Sequence, residues 1–114
     1  MKTSEKIQLY AQLLQLTDYD HKEGGKYAYV QFLSYTREVL RLLEASPEFE
    51  GARALIEEVN FQFNEALCSA FGPQQRELFH AQRTRVLLAL WEVKLRLEAE
   101  SDAYTETSPL RRAG

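Results

Sequence analysis

The residues best suited to chemistry are two carboxylates and one histidine in the second half of the chain. Glu77 and His80 stand three positions apart, and side chains three apart on an α-helix lie on the same side of it. If the chain reverses direction at the glycine–proline pair that precedes them, Glu65 lies level with His80. Carboxylate and imidazole groups together form a donor set that divalent transition metals accept. Glu65, Glu77 and His80 are therefore the candidate metal ligands.

The Glu-x-x-His spacing of Glu77 and His80 resembles the ligand pairs of ferritin-like di-iron bundles. A complete site of that type uses two such pairs and two further glutamates, whereas this chain supplies one pair. A second copy related by a two-fold axis would supply the other pair and a second Glu65. The sequence thus leaves open a metal-binding, ferritin-like helical protein completed by dimerisation. We favour the simpler interpretation, a solvated ion-pair cluster near a helix turn.

Other reactive residue types do not form a catalytic or cofactor-binding pattern. Asp18 and Asp20 begin as a calcium loop does, but Lys22 replaces a ligand and Glu23 replaces the required glycine. The one cysteine, Cys68, lies among apolar residues without a histidine at triad spacing, so we interpret it as a packing residue. We therefore expect neither a cofactor nor an enzymatic activity.

The composition is typical of a small globular protein. Its 114 residues suffice for one domain, and a formal charge of −3 lacks the basic excess of a dedicated nucleic-acid binder. A single cysteine excludes a disulfide within the chain and fits a reducing compartment. The N-terminal residues show no signal peptide, and no window has the roughly 20 apolar residues of a membrane span. We expect a cytoplasmic protein that binds neither membranes nor nucleic acid.

Apolar residues recur every three or four positions along four segments, which is the period of amphipathic α-helices. The segments cover residues 4–16, 26–45, 47–71 and 74–101. Short connections between helices make successive helices antiparallel neighbours. The sequence therefore predicts an all-α fold, a four-helix up-down bundle with a long C-terminal helical hairpin.

The hairpin formed by helices 3 and 4 organises the chain. Ser46-Pro47 favours the start of its first arm, and Gly72-Pro73 favours the end of that arm and the start of the next. The first arm carries one unbroken apolar seam: Phe49, Ala52, Ile56, Val59, Phe63, Ala66 and Ala70. The second arm carries a main apolar stripe of Phe79, Val86, Leu90, Val93 and Leu97, and a second stripe of Leu88, Trp91 and Leu95.

Charged residues give a check on how the two arms align. With the turn centred on the glycine–proline pair, residues whose numbers add up to about 145 lie level across the hairpin. Opposite charges then meet, because Arg53 is level with Glu92, and Glu50 is close to Lys94 and Arg96. Exposed pairs contribute only ~0.2–1 kcal/mol each, so we expect them to tune the alignment of the arms.

The domain is predicted to cover residues 1–103, followed by a flexible C-terminal tail at residues 104–114. The hairpin is longer than helix 1, so part of its apolar surface should stay uncovered within one chain. A second copy is the simplest cover, which predicts a homodimer through helices 3 and 4. The residues expected at protein interfaces are aromatic or apolar: Tyr27, Tyr29, Tyr35, Leu55, Ile56, Leu90, Trp91, Val93 and Leu97.

These features favour one class of function. We expect a small, non-enzymatic helical module for protein–protein interaction, such as an adaptor, a chaperone-like protein or a regulator, acting as a homodimer on another protein. The metal-binding helical protein described above is the alternative.

Overall fold

The described part of the chain folds into four α-helices. The computed structural model describes residues 1–17, 19, 25–68 and 73–113, with side chains described as far as residue 100. The helices are α1 (Thr3–Leu16), α2 (Gly25–Leu43), α3 (Glu50–Ala66) and α4 (Pro73–Ala113), and a 3₁₀ turn at Pro47–Phe49 leads into α3. Within the described ranges there is no β-strand. The predicted all-α class is therefore confirmed.

Helices α2 and α3 run antiparallel, as their side-chain contacts demonstrate. The ring centroids of Phe32 and Phe63 lie 4.6 Å apart. One turn later in α2, the hydroxyl of Thr36 lies 2.9 Å from the side-chain oxygen of Asn60. Asn60 precedes Phe63 along α3, so the contacts advance in opposite directions along the two helices.

Helices α3 and α4 also run antiparallel and form the predicted hairpin. The rings of Phe63 and Phe79 stack with centroids 5.7 Å apart. At the other end of α3, the guanidinium carbon of Arg96 lies 5.7 Å from the centre of the Phe49 ring. The numbers of these two residues add up to 145, which matches the predicted alignment of the arms.

Helix α1 closes the bundle by packing between α2 and α4. Its Tyr10 ring lies 6.3 Å from the ring of Tyr35 in α2. The carbonyl of Gln15, near the end of α1, accepts a hydrogen bond of 3.4 Å from Arg83 in α4, and Gln8 lies in one groove with the later residue Trp91. Helices α1 and α4 are therefore antiparallel neighbours, and the predicted up-down bundle is confirmed.

The centre of the bundle is aromatic. The ring of Phe79 lies 5.6 Å from that of Tyr29 and 6.0 Å from that of Phe32, both in edge-to-face contact. Offset and edge-to-face pairs of this kind add to the free energy gained by burying the rings. The wider core includes these buried members of the two predicted seams: Phe49, Ile56, Val59, Phe63, Ala66, Phe79, Val86, Leu90 and Val93.

The ends of α2 and α3 differ from the predicted bounds by a few residues. Glu44 and Ala45 form a turn after α2, because the residue before Pro47 is kept out of the helical region. Helix α3 ends at Ala66 and continues as a turn, in which the amide of Cys68 bonds the carbonyl of Glu65 at 3.1 Å. The predicted extension of this helix through residues 69–71 lies outside the described residues.

Helix α4 is longer than predicted, since its helical backbone extends to Ala113. It therefore continues well beyond Arg96, which is level with the start of α3. The flexible tail predicted for residues 104–114 stays a prediction, and Pro109 within this stretch removes a helical hydrogen-bond donor. None of the helices, as far as they are described, has the length and apolar character that crossing a membrane requires.

Lys94, predicted to lie close to Glu50 across the hairpin, forms its ion pair within α4. The ammonium group of Lys94 lies 3.3 Å from a carboxylate oxygen of Glu98, four residues along the same helix. It also lies 4.5 Å from the centre of the Trp91 ring. An acid one turn away and a neighbouring aromatic face therefore satisfy the charge of Lys94 within its own helix.

Candidate functional site

The three candidate metal ligands do not converge in one chain. Glu65 and Glu77 are exposed and His80 is half-buried, and the described residues contain no group of three or more His, Cys, Asp or Glu side chains able to hold a metal ion. The Nδ1 atom of His80 instead lies 3.2 Å from the guanidinium of Arg83. A cation at this distance opposes the binding of a second cation. A site completed by a second copy stays a prediction.

The Arg83 side chain has a structural task at the end of α1. It donates a hydrogen bond of 2.6 Å to the carbonyl of Thr17 and one of 3.4 Å to the carbonyl of Gln15. These carbonyls lie at the helix end, where acceptors lack partners within the helix and attract positive charge. The guanidinium also lies 5.2 Å from the centre of the Phe79 ring. Arg83 thus ties α1 to α4.

Tyr29 is part of the core and is not a catalytic group. Its side chain is fully buried, and its hydroxyl donates a hydrogen bond of 2.6 Å to the carbonyl of Gln75. Burial, and to a smaller extent the neighbouring Tyr19, raises the pKa of the Tyr29 hydroxyl well above its ordinary value. The hydroxyl therefore remains protonated and joins α2 to the start of α4.

The predicted interface residues separate into three groups. Tyr35, Leu55 and Leu97 are partly buried against the core, whereas Tyr27 and Trp91 are exposed. The remaining members are buried within the single chain: Tyr29, Ile56, Leu90 and Val93. Because α1 and α2 cover the seam of the hairpin, these buried residues form the core and do not offer a surface to a partner. The predicted interface residues that remain exposed are Tyr27 on α2 and Trp91 on α4.

An apolar stripe remains exposed on α4. We call Leu88, Trp91 and Leu95 the outer stripe of α4; their exposed fractions are 65%, 51% and 48%. They are spaced three and four residues apart, which puts them on one side of the helix. Large apolar side chains in an adjoining row are a recognised mark of interaction surfaces.

The outer stripe adjoins a groove between α1 and α4 with a volume of about 390 Å³. The lining consists of amides, small side chains and apolar side chains: Gln8, Ala11, Gln12, Gln15, Thr84, Leu87, Leu88 and Trp91. Among the described residues, none of those lining the groove is ionisable. We call this feature the uncharged groove.

Two other grooves of similar size differ in their charge. The groove between α3 and α4, of about 340 Å³, is lined in part by Glu48, Glu92 and Arg96. The groove between α1 and α2, of about 360 Å³, includes Lys6 and Glu38. Of these three grooves in the described part of the chain, the α1/α4 groove is the one without charged lining residues.

The Trp91 side chain is held in place by its own helix. The ammonium of Lys94 lies over its ring at 4.5 Å from the centroid, and Glu98 fixes that ammonium by an ion pair of 3.3 Å. Burial of Lys94, whose side chain is 11% exposed, keeps this charge out of the lining of the groove. Because the ring is pre-positioned, a partner that packs on it orders fewer side-chain rotamers on binding.

The sequence identified Trp91 of this face but not Leu88 and Leu95 as contact residues. Their three-and-four spacing with Trp91 forms the second stripe of the sequence analysis, and this spacing is the signal that could have identified them as contact residues. The contribution of α1 to the groove is harder to foresee, because Gln8, Gln12 and Gln15 are ordinary surface residues until α1 is placed beside α4.

Comparisons of the chain with protein-family models, with curated proteins and with solved structures find no match. The function is therefore inferred from the surface itself, and its most distinctive feature is the uncharged groove with the outer stripe of α4 beside it.

Proposed function

We infer that this protein is a small, non-enzymatic helical module for protein–protein interaction, and that its contact face is the uncharged groove together with the outer stripe of α4. One observation carries the proposal: a groove without ionisable lining residues lies beside the exposed Leu88 and Trp91. The role of an adaptor, a chaperone-like protein or a regulator requires such a face and needs no cofactor.

The composition of the groove is that of an interface centre. Charged residues make up 27% of the chain, so a lining of eight residues would on average contain about two. The central part of protein interfaces is depleted of charged residues and enriched in aromatic ones. Trp91 is the type of residue that most often dominates binding energy. The composition of this face thus supports docking at this place.

The shape of the face favours a helix as the docked element. A groove between two helices that lie side by side accepts a third, amphipathic helix. The apolar side chains of that helix enter the groove at intervals of three and four residues. The amides of Gln8, Gln12 and Gln15 line one side of the groove, and they supply donors and acceptors without charge. Leu88 and Trp91 line the other side and supply the apolar contact.

The proposed compartment is the cytoplasm. Cys68 is exposed and free of any disulfide, so its interpretation as a packing residue is wrong. A reducing compartment preserves such an exposed thiol. Treatment of the protein with a thiol-alkylating reagent immediately on cell lysis, followed by mass measurement, should show Cys68 labelled by the reagent, as a reduced thiol would be. A stable mixed disulfide would contradict this placement.

Affinity purification of the tagged full-length chain tests the contact face. Leu88→Glu places a charge in the groove, and Phe61→Glu is a matched control, since Phe61 of α3 has the same exposed fraction of 65% and the substitution changes the net charge equally. We expect Leu88→Glu to lose the co-purifying proteins and Phe61→Glu to keep them, with both variants equally helical by circular dichroism. Equal retention by the two variants would contradict the proposed face.

A further inference from the structure

We draw no further inference here: the strongest candidate, the exposed apolar surface patch that Leu88, Trp91 and Leu95 form on α4 beside the uncharged groove, carries nothing beyond the proposed contact face, because nothing in the structure shows what covers it.

Discussion

Helix α4 carries two apolar stripes that differ in what covers them. Its inner stripe, formed by Phe79, Val86, Leu90 and Val93, is buried by the other helices of the same chain. Its outer stripe, formed by Leu88, Trp91 and Leu95, has the same spacing but remains about half exposed or more. The spacing of apolar residues in the sequence identifies an apolar side of a helix. The placement of the other helices then determines whether that side is buried in the core or remains exposed for association.

The aromatic residue of each stripe illustrates the difference. Phe79 is surrounded by the rings of Tyr29, Phe32 and Phe63, with centroids 5.6, 6.0 and 5.7 Å away. Trp91 is covered on one face by the ammonium group of Lys94 and is otherwise half exposed. We therefore expect substitutions in the inner stripe to change the free energy of unfolding and substitutions in the outer stripe to change association.

The largest expected effect is that of Phe79→Ala. Removing a ring packed on all sides leaves a cavity and should lower the free energy of unfolding by about 3–5 kcal/mol. Trp91→Ala should lower it by less than about 1 kcal/mol, because the ring is half exposed and loses chiefly its contact with Lys94. Urea denaturation followed by circular dichroism measures both values. Similar losses for the two variants would remove the distinction between the stripes.

The next largest effect is expected at Gly25, which touches the core. A methyl group added to Gly25 would overlap the ring of Tyr19, and overpacking of this kind costs about 1–3 kcal/mol. Gly25→Ala should therefore lower the midpoint of urea denaturation. An unchanged midpoint would indicate that the Tyr19 ring moves aside without a loss of stability. The core around Tyr19 and Gly25 would then be less tightly packed than its contacts indicate.

Tyr29→Phe should have a smaller and pH-dependent effect. Loss of the hydrogen bond to Gln75 costs about 0.5–1.5 kcal/mol at neutral pH. Burial raises the pKa of the Tyr29 hydroxyl, so the folded state holds this proton more tightly than the unfolded state, in which the pKa is about 10. The contribution of Tyr29 to stability is therefore complete below pH 10 or so and declines as the pH rises further.

Denaturation of the native chain and of Tyr29→Phe at several pH values measures this contribution. We expect the native chain to lose its advantage over the variant progressively above a pH of about 10. If the difference in the free energy of unfolding between the two proteins stays constant through that range, the Tyr29 hydroxyl has an ordinary pKa and is not enclosed by the core.

The smallest effect is expected at Gly51, in the charged α3/α4 groove. Apart from its chain neighbours and its own helix backbone, no atom lies within 4 Å of a methyl group added there, and alanine is favoured over glycine inside a helix by about 0.5–1 kcal/mol. Gly51→Ala should raise the free energy of unfolding by that amount and leave the co-purifying proteins bound, as affinity purification would show. Loss of those proteins in this variant would move the contact face from the outer stripe of α4 to the α3/α4 groove.

The sequence predicted the helices because their information is local. The three-and-four spacing of Phe49, Ile56 and Phe63 and the stops before the prolines specify amphipathic rods and their turns. The alignment of the hairpin followed from the same features, since the glycine–proline pair predicts where the chain reverses. These properties depend on neighbours in the sequence and need no knowledge of the other helices.

The candidate site was predicted only in part because it depends on distant neighbours. Ile56 and Leu90 were assigned to an interface on the assumption that helix 1 is too short to cover the hairpin, but α1 lies along α4 and completes its cover. Lys94 was paired with Glu50, although Glu98 and Trp91 are closer along its own helix. Burial and pairing of this kind are decided by tertiary packing and are not contained in any single periodic segment.

The fluorescence of Trp91, the one tryptophan of the chain, tests the role of the outer stripe most directly. If the chain forms the homodimer that its sequence predicts and does so through this stripe, the emission should shift to shorter wavelength as the native protein is concentrated from about 1 μM to about 1 mM, because the second copy removes water from the ring. The same shift should occur in Phe61→Glu and be absent in Leu88→Glu. Emission that is independent of concentration in the native chain, or that shifts equally in Leu88→Glu, would contradict the account.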